Sequence, residues 1–171
     1  MSMGANAHAL LSPSGAVGWL TCAGKLAMEK GLPDVSSPHS DYGTAAHELA
    51  SRVLTTSKLV VEFLGLSIEV KKGKTVEVDD EMVAGVRCYT EMVRKRIADY
   101  YFAGAVSVEA YVEQRVPIGH ITGEDGAEGT ADVVLIVLWG DGTALIDVID
   151  LKFGQGVKVY AHRIIATAPV P

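Results

Sequence analysis

The sequence predicts an α+β fold, with helices first and a mainly antiparallel sheet of three or more strands after them. Three observations carry this reading. Apolar residues recur at Met82, Val86, Tyr89, Val93, Ile97 and Tyr100, which is one face of a helix over about five turns. From Val106 the texture changes to β-branched and aromatic alternation in "VSVEAYVEQRVPI". Two further apolar runs, "TADVVLIVLW" and "TALIDVIDLKF", flank the turn "GDG". Helices followed by a strand meander indicate α+β organisation, not a doubly wound parallel sheet. With 171 residues, 49% of them apolar, the chain is long enough for one domain over 1–171 with a real core.

Taken in order, Ser12 and Ser14 flank Pro13 ahead of "GAVGWLTCAGKLAMEKG", which reads as one helix opening on a serine cap and closing at Gly31. The stretch "LPDVSSPHSDYG", rich in Pro, Ser, Asp and Gly, reads as a loop. Gly43 and Thr44 then start a second helix, "TAAHELASRVLTT", with Thr44 as its cap. The third helix is the periodic one, and the strands follow it.

Composition excludes several classes. The formal charge of -6 provides no global basic footprint, which counts against a non-specific nucleic-acid binder but leaves room for an enzyme with a local basic groove. Cys22 and Cys88 lie far apart, so neither a disulfide framework nor a zinc site is written here, and two separate buried thiols are expected. The apolar run ending at Trp139 is far too short to span a bilayer, and the N-terminus has no secretory pattern, so a cytoplasmic location without membrane attachment is expected.

The chemistry concentrates at "VIDLKFGQG", where Asp150 and Lys152 stand two apart and therefore on one face of a strand. If Gly140, Asp141 and Gly142 form a three-residue hairpin loop, Trp139 faces Thr143 and Asp132 falls opposite Asp150. Such a pair has Cβ atoms roughly 4.5–5.5 Å apart, and two carboxylates that close repel unless a lysine or a divalent cation intervenes. A two-residue loop would send the acids to opposite faces. A solvated surface ion pair is the other reading of Asp150 and Lys152.

The ordered set "YGTAAHELA", "GTADVVLI" and "VIDLKFGQG" resembles the RecB-like branch of the PD-(D/E)xK nuclease superfamily. The similarity is greatest to an uncharacterised, phage-associated set of exonucleases and runs from about Leu10 to about Val159. It implies a restriction-endonuclease-like core, a divalent-metal-dependent DNA nuclease of exonuclease type, and Mg²⁺ or Mn²⁺ as cofactor. Carried over residue by residue, it implies that Asp132 and Asp150 bind metal, that Lys152 is the motif lysine and that His47 is an additional ligand. Glu113 in "YVEQRV" matches a further acidic position better than Glu109 does, and Glu48 points about 100° away from His47 on a helix.

The chain also departs from the pattern. The branch carries a helix with Q-x-x-x-Y after the D-x-K strand, whereas here Gln155 comes too early and no tyrosine follows Tyr160. The tail over 160–171 is therefore expected to be atypical and the C-terminal helix missing, leaving an apolar face either exposed or covered by a second copy in a homo-oligomer. Lys158 and Arg163 make this tail locally basic and suited to a DNA backbone. Some relatives hold an iron–sulfur cluster, but no cysteine follows Cys88, so none is expected. The alternative function is a nuclease-like module that binds DNA or protein without cutting.

Overall fold

The computed structural model describes residues 9–32, 36–71, 73–154 and the backbone of 167–169. Lys158, Arg163 and, apart from 167–169, the expected atypical tail with its missing helix lie outside the described residues. The chain forms two compact units, Met1–Val35 with Gln114–Ala131 and Ser36–Glu113 with Asp132–Pro171.

In the smaller unit the expected single helix is two short ones, α1 (Ala16–Thr21) and α2 (Lys25–Glu29). The break falls at Cys22, which is extended at φ -135°, ψ 102°. Gly18 and Gly24 each cost about 1 kcal/mol relative to alanine in a helix, too much for a segment with so little packing. Ser12 does not cap; its hydroxyl lies 3.3 Å from that of Ser14. Both thiols expected to be buried are exposed, Cys22 at the break and Cys88 on the helix Asp80–Phe102.

The larger unit begins with α3 (Pro38–Thr55), six residues earlier than the cap expected at Thr44. Ser37 is the N-cap, accepting from the Ser40 N–H at 3.1 Å, and Pro38 occupies the first turn where its missing N–H costs nothing. A hairpin absent from the sequence reading follows, β1 (Ser67–Lys71) antiparallel to β2 (Lys74–Glu77). The Lys74 ammonium ties it to the buried Asp41 carboxylate on α3.

The periodic segment is a helix as expected, α4 (Asp80–Phe102), capped by Asp79, whose carboxylate accepts from the Met82 N–H at 2.8 Å. It buries Met82, Val86, Tyr89, Val93 and Tyr100. The sheet is built from β3 (Ala105–Pro117), β4 (Glu128–Trp139), β5 (Thr143–Ile149) and β6 (Thr167–Pro169), in that spatial order, with the one-turn helix α5 (Gly119–Thr122) between β3 and β4. β5 runs antiparallel to β4 and β6 antiparallel to β5.

The α+β fold class is as expected, with the strand meander extended by β6. Alternation decides which sheet face is covered: Val133, Leu135 and Val137 are fully buried in one core with Leu49 and Val53 of α3 and Met82 and Val86 of α4. The opposite face leaves Ile146 and Val148 exposed. Among the described residues no helix is long and apolar enough to cross a membrane.

Candidate metal centre

The hairpin register is the one a three-residue loop demands. Leu138 pairs with Ala144 and Val133 with Ile149, so "GDG" occupies the turn, with Gly142 at φ 81° and its N–H bonded to the Trp139 carbonyl at 3.1 Å. Continuing the ladder by one residue sets Asp132 opposite Asp150. β5 ends at Ile149, however, so Asp150 and Lys152 lie just past the strand and not within it as expected.

The two acids do not face one another unpartnered. One Asp132 oxygen accepts from the Leu151 N–H at 2.5 Å, and the other lies 3.2 Å from His47 Nδ1. Asp150 pairs instead with Lys152 at 2.6 Å, both side chains more than half exposed.

His47 comes from α3, one turn after Gly43; Glu113 comes from β3; Asp132 comes from β4. One ligand atom from each lies within 4.8 Å of the others, a group able to hold a metal ion. Three of the four metal residues named from sequence therefore converge, while Asp150 stands at their edge on the Lys152 side. Glu113 reaches the group at φ 53°, the one described non-glycine residue in the left-handed region. That conformation is uncommon for a residue with a Cβ and belongs to positions that the surroundings over-determine. Glu109 is bound by the Tyr111 hydroxyl at 2.5 Å, and Glu48 by Arg52 at 2.7 Å; neither joins the group.

Electrostatics match this geometry. Burial works to raise the Asp132 pKa, but the hydrogen bonds from His47 and Leu151 hold it below the ordinary carboxylate value. The same bond raises His47 against the effect of burial, aided by the charges of Asp132, Glu113 and Asp150. Glu113 is raised by burial and then by the Asp132 charge. Three carboxylates facing one imidazole leave an excess of negative charge.

Tyr89 of α4 also belongs to the site, although its spacing assigns it to a helix core face. It lines the small cleft shared by His47, Glu113, Asp132 and Leu151. Burial and then the charges of Asp132, Asp150 and Glu113 push its phenol well up, so it stays protonated, and its hydroxyl donates to the Ile149 carbonyl at 3.4 Å. No sequence signal separates it from the other core positions of α4.

Among families of known sequence, the one described as "Protein of unknown function (DUF2800)" matches residues 8–164. No solved structure matches the chain.

Proposed function

The chain belongs to the DUF2800 family, and we propose that it is a divalent-metal-dependent deoxyribonuclease of the PD-(D/E)xK type, hydrolysing phosphodiester bonds from a DNA end. The observation that carries this reading is the convergence of His47, Glu113 and Asp132, with Asp150 and Lys152 at the edge of the group.

The donor set fits Mg²⁺ or Mn²⁺: carboxylate oxygens suit hard cations, an imidazole tilts preference toward Mn²⁺, and the group contains no thiolate. When bound, such an ion lowers the pKa of a water and stabilises charge on the leaving oxygen.

The chain's own residues supply the rest. Asp132 is kept ionised and oriented by two hydrogen bonds, so its carboxylate is available to a cation. Glu113 and Asp150 add negative charge around His47 and Asp132. Lys152, with its side chain 64% exposed, is free to move its ammonium onto a phosphate oxygen once Asp150 is otherwise engaged, and there it screens charge developing at phosphorus. Tyr89 keeps its proton, and its hydroxyl donates to the Ile149 carbonyl, just ahead of Asp150.

The test is cleavage of end-labelled linear DNA, double- and single-stranded, with Mg²⁺ or Mn²⁺. Wild type should degrade it from an end. Lys152→Ala should retain Mn²⁺ binding but lose at least about a hundredfold in rate, the scale for removing one positioned charged group. Equal rates in both proteins would return Lys152 to the role of a surface ion pair.

One observation favours the non-cutting alternative: the Asp150 carboxylate is engaged by Lys152 and stands outside the three-residue group. Mn²⁺ and DNA binding without cleavage in any metal would establish it.

A further inference from the structure

Beyond Ile149 the chain loses its strand partners, yet the residues that matter most to the site, Asp150 and Lys152, lie in this unladdered stretch. Two inward side chains alternate with these outward ones: Leu151 is buried, and Phe153 packs against the core.

Phe153 sits in a notch that Gly85 of α4 leaves open, with Gly43 of α3 in ordinary contact with its backbone. A Cβ on Gly85 of α4 would come within 2.3 Å of Phe153 Cε2 and 3.0 Å of Cζ, so the ring occupies the space that any side chain there would take. A Cβ on Gly43 of α3 would lie 3.5 Å from the Phe153 carbonyl oxygen. The wall is completed by Tyr42, its ring centroid 5.7 Å from that of Phe153 and its hydroxyl anchored on Asp79 at 2.6 Å. Each glycine lies one turn before a residue of the cleft, Gly43 before His47 and Gly85 before Tyr89, and residues four apart share a helix face. A ring seated at the glycine level therefore sets Leu151, two residues earlier, at the level of His47 and Tyr89, where its N–H meets Asp132.

We propose that Phe153, seated on the bare backbone of Gly85, is the positioning residue of the metal group, holding the 150–152 segment so that Leu151 N–H orients Asp132 and Asp150 is presented to the ion. This rests on the metal reading of His47, Glu113 and Asp132, and deepens it. Phe153 touches neither ion nor substrate; it acts through Leu151 and Asp150.

The test reads metal affinity and stability, not cleavage. Gly85→Ala should leave the apo fold intact, since alanine is the better helix former by about 1 kcal/mol, while its methyl evicts the ring. Mn²⁺ affinity by calorimetry should then fall by about tenfold or more, the scale for disturbing groups that orient metal ligands, while loss of the Leu151–Asp132 hydrogen bond lowers the apo melting temperature without unfolding the protein. Adding Phe153→Leu, whose shorter side chain clears the methyl, should recover part of the affinity. Unchanged Mn²⁺ affinity in Gly85→Ala, or a double variant binding as weakly as the single one, would overturn the proposal while leaving the metal centre intact. A wild type that takes up no Mn²⁺ would overturn the metal reading itself, and this inference with it.

Discussion

Asp132 concentrates the site in one side chain. The sequence reading leaves it facing Asp150 with repulsion to be relieved; in the structure the relief comes separately, from His47 and Leu151 for Asp132 and from Lys152 for Asp150. The residue pattern conveyed the β4–β5 register and the resemblance named His47 and Glu113, whereas the backbone N–H of Leu151 is invisible in sequence, because main-chain donors have no sequence signature. A pH dependence follows with a definite sign. His47 has a folded pKa raised above the ordinary imidazole value, so its pairing with Asp132 stabilises the fold fully below about pH 6.5 and is lost as pH rises through the raised value. The lowered Asp132 pKa works the other way, contributing above the ordinary carboxylate value and failing as pH falls through the folded one. A metal held by His47 would compete with its proton, so the rise in melting temperature given by Mn²⁺ should be larger near about pH 8 than near about pH 6, and binding should release a proton. Calorimetry in two buffers of different ionisation enthalpy measures that proton; identical heats would remove His47 from the ligand set. Asp132→Ala should abolish the Mn²⁺-induced rise and also lower apo stability by about 1–3 kcal/mol, because it orphans the Leu151 N–H and the His47 partner.

Among elements, legibility followed the strength of local constraint. α4 was readable because its apolar period persists over the helix, and the β4–β5 register because a Gly-Asp-Gly turn admits few geometries. The start of α3 was misplaced because Ser37-Pro38 looks like loop chemistry, although serine at the cap and proline at the first position is also how helices begin. The β1–β2 hairpin has a weak sequence signal: its strands are five and four residues, mostly exposed, and their lock is the distant Asp41. β3 holds the least legible feature, the left-handed turn at Glu113 that delivers its carboxylate. Strain there separates stability from metal binding. Glu113→Gly removes the Cβ that resists φ 53° and the charge that opposes Asp132, so the apo protein should gain up to about 1 kcal/mol while Mn²⁺ affinity falls. A marked loss of apo melting temperature would show that the Glu113 side chain serves the fold, not the ion.

At the scale of the whole molecule, charge sets the terms on which the proposed substrate can approach. A net charge of -6, with His47, Glu113, Asp132 and Asp150 forming a negative focus, repels a phosphate backbone from the place where the nuclease reading needs it. Lys152 is a cation beside that field, and each phosphate contact weakens steeply with salt. On the nuclease reading a divalent ion would therefore be needed for binding as well as for cutting, since its charge would offset the carboxylates of the focus. Filter binding of linear DNA should detect little retention in chelator at about 0.15 M salt, where non-specific affinities already lie in the micromolar range or weaker. Ca²⁺, which takes oxygen ligands of the same kind, should tighten binding by about tenfold or more without supporting cleavage. Asp132→Ala should lose that Ca²⁺ response, and Lys152→Ala should keep most of it, since the first removes the ion and the second only one phosphate contact. Tight binding in chelator that Ca²⁺ leaves unchanged would mean that the DNA is held by a surface remote from His47, Glu113 and Asp132, and the metal group would then need a different substrate.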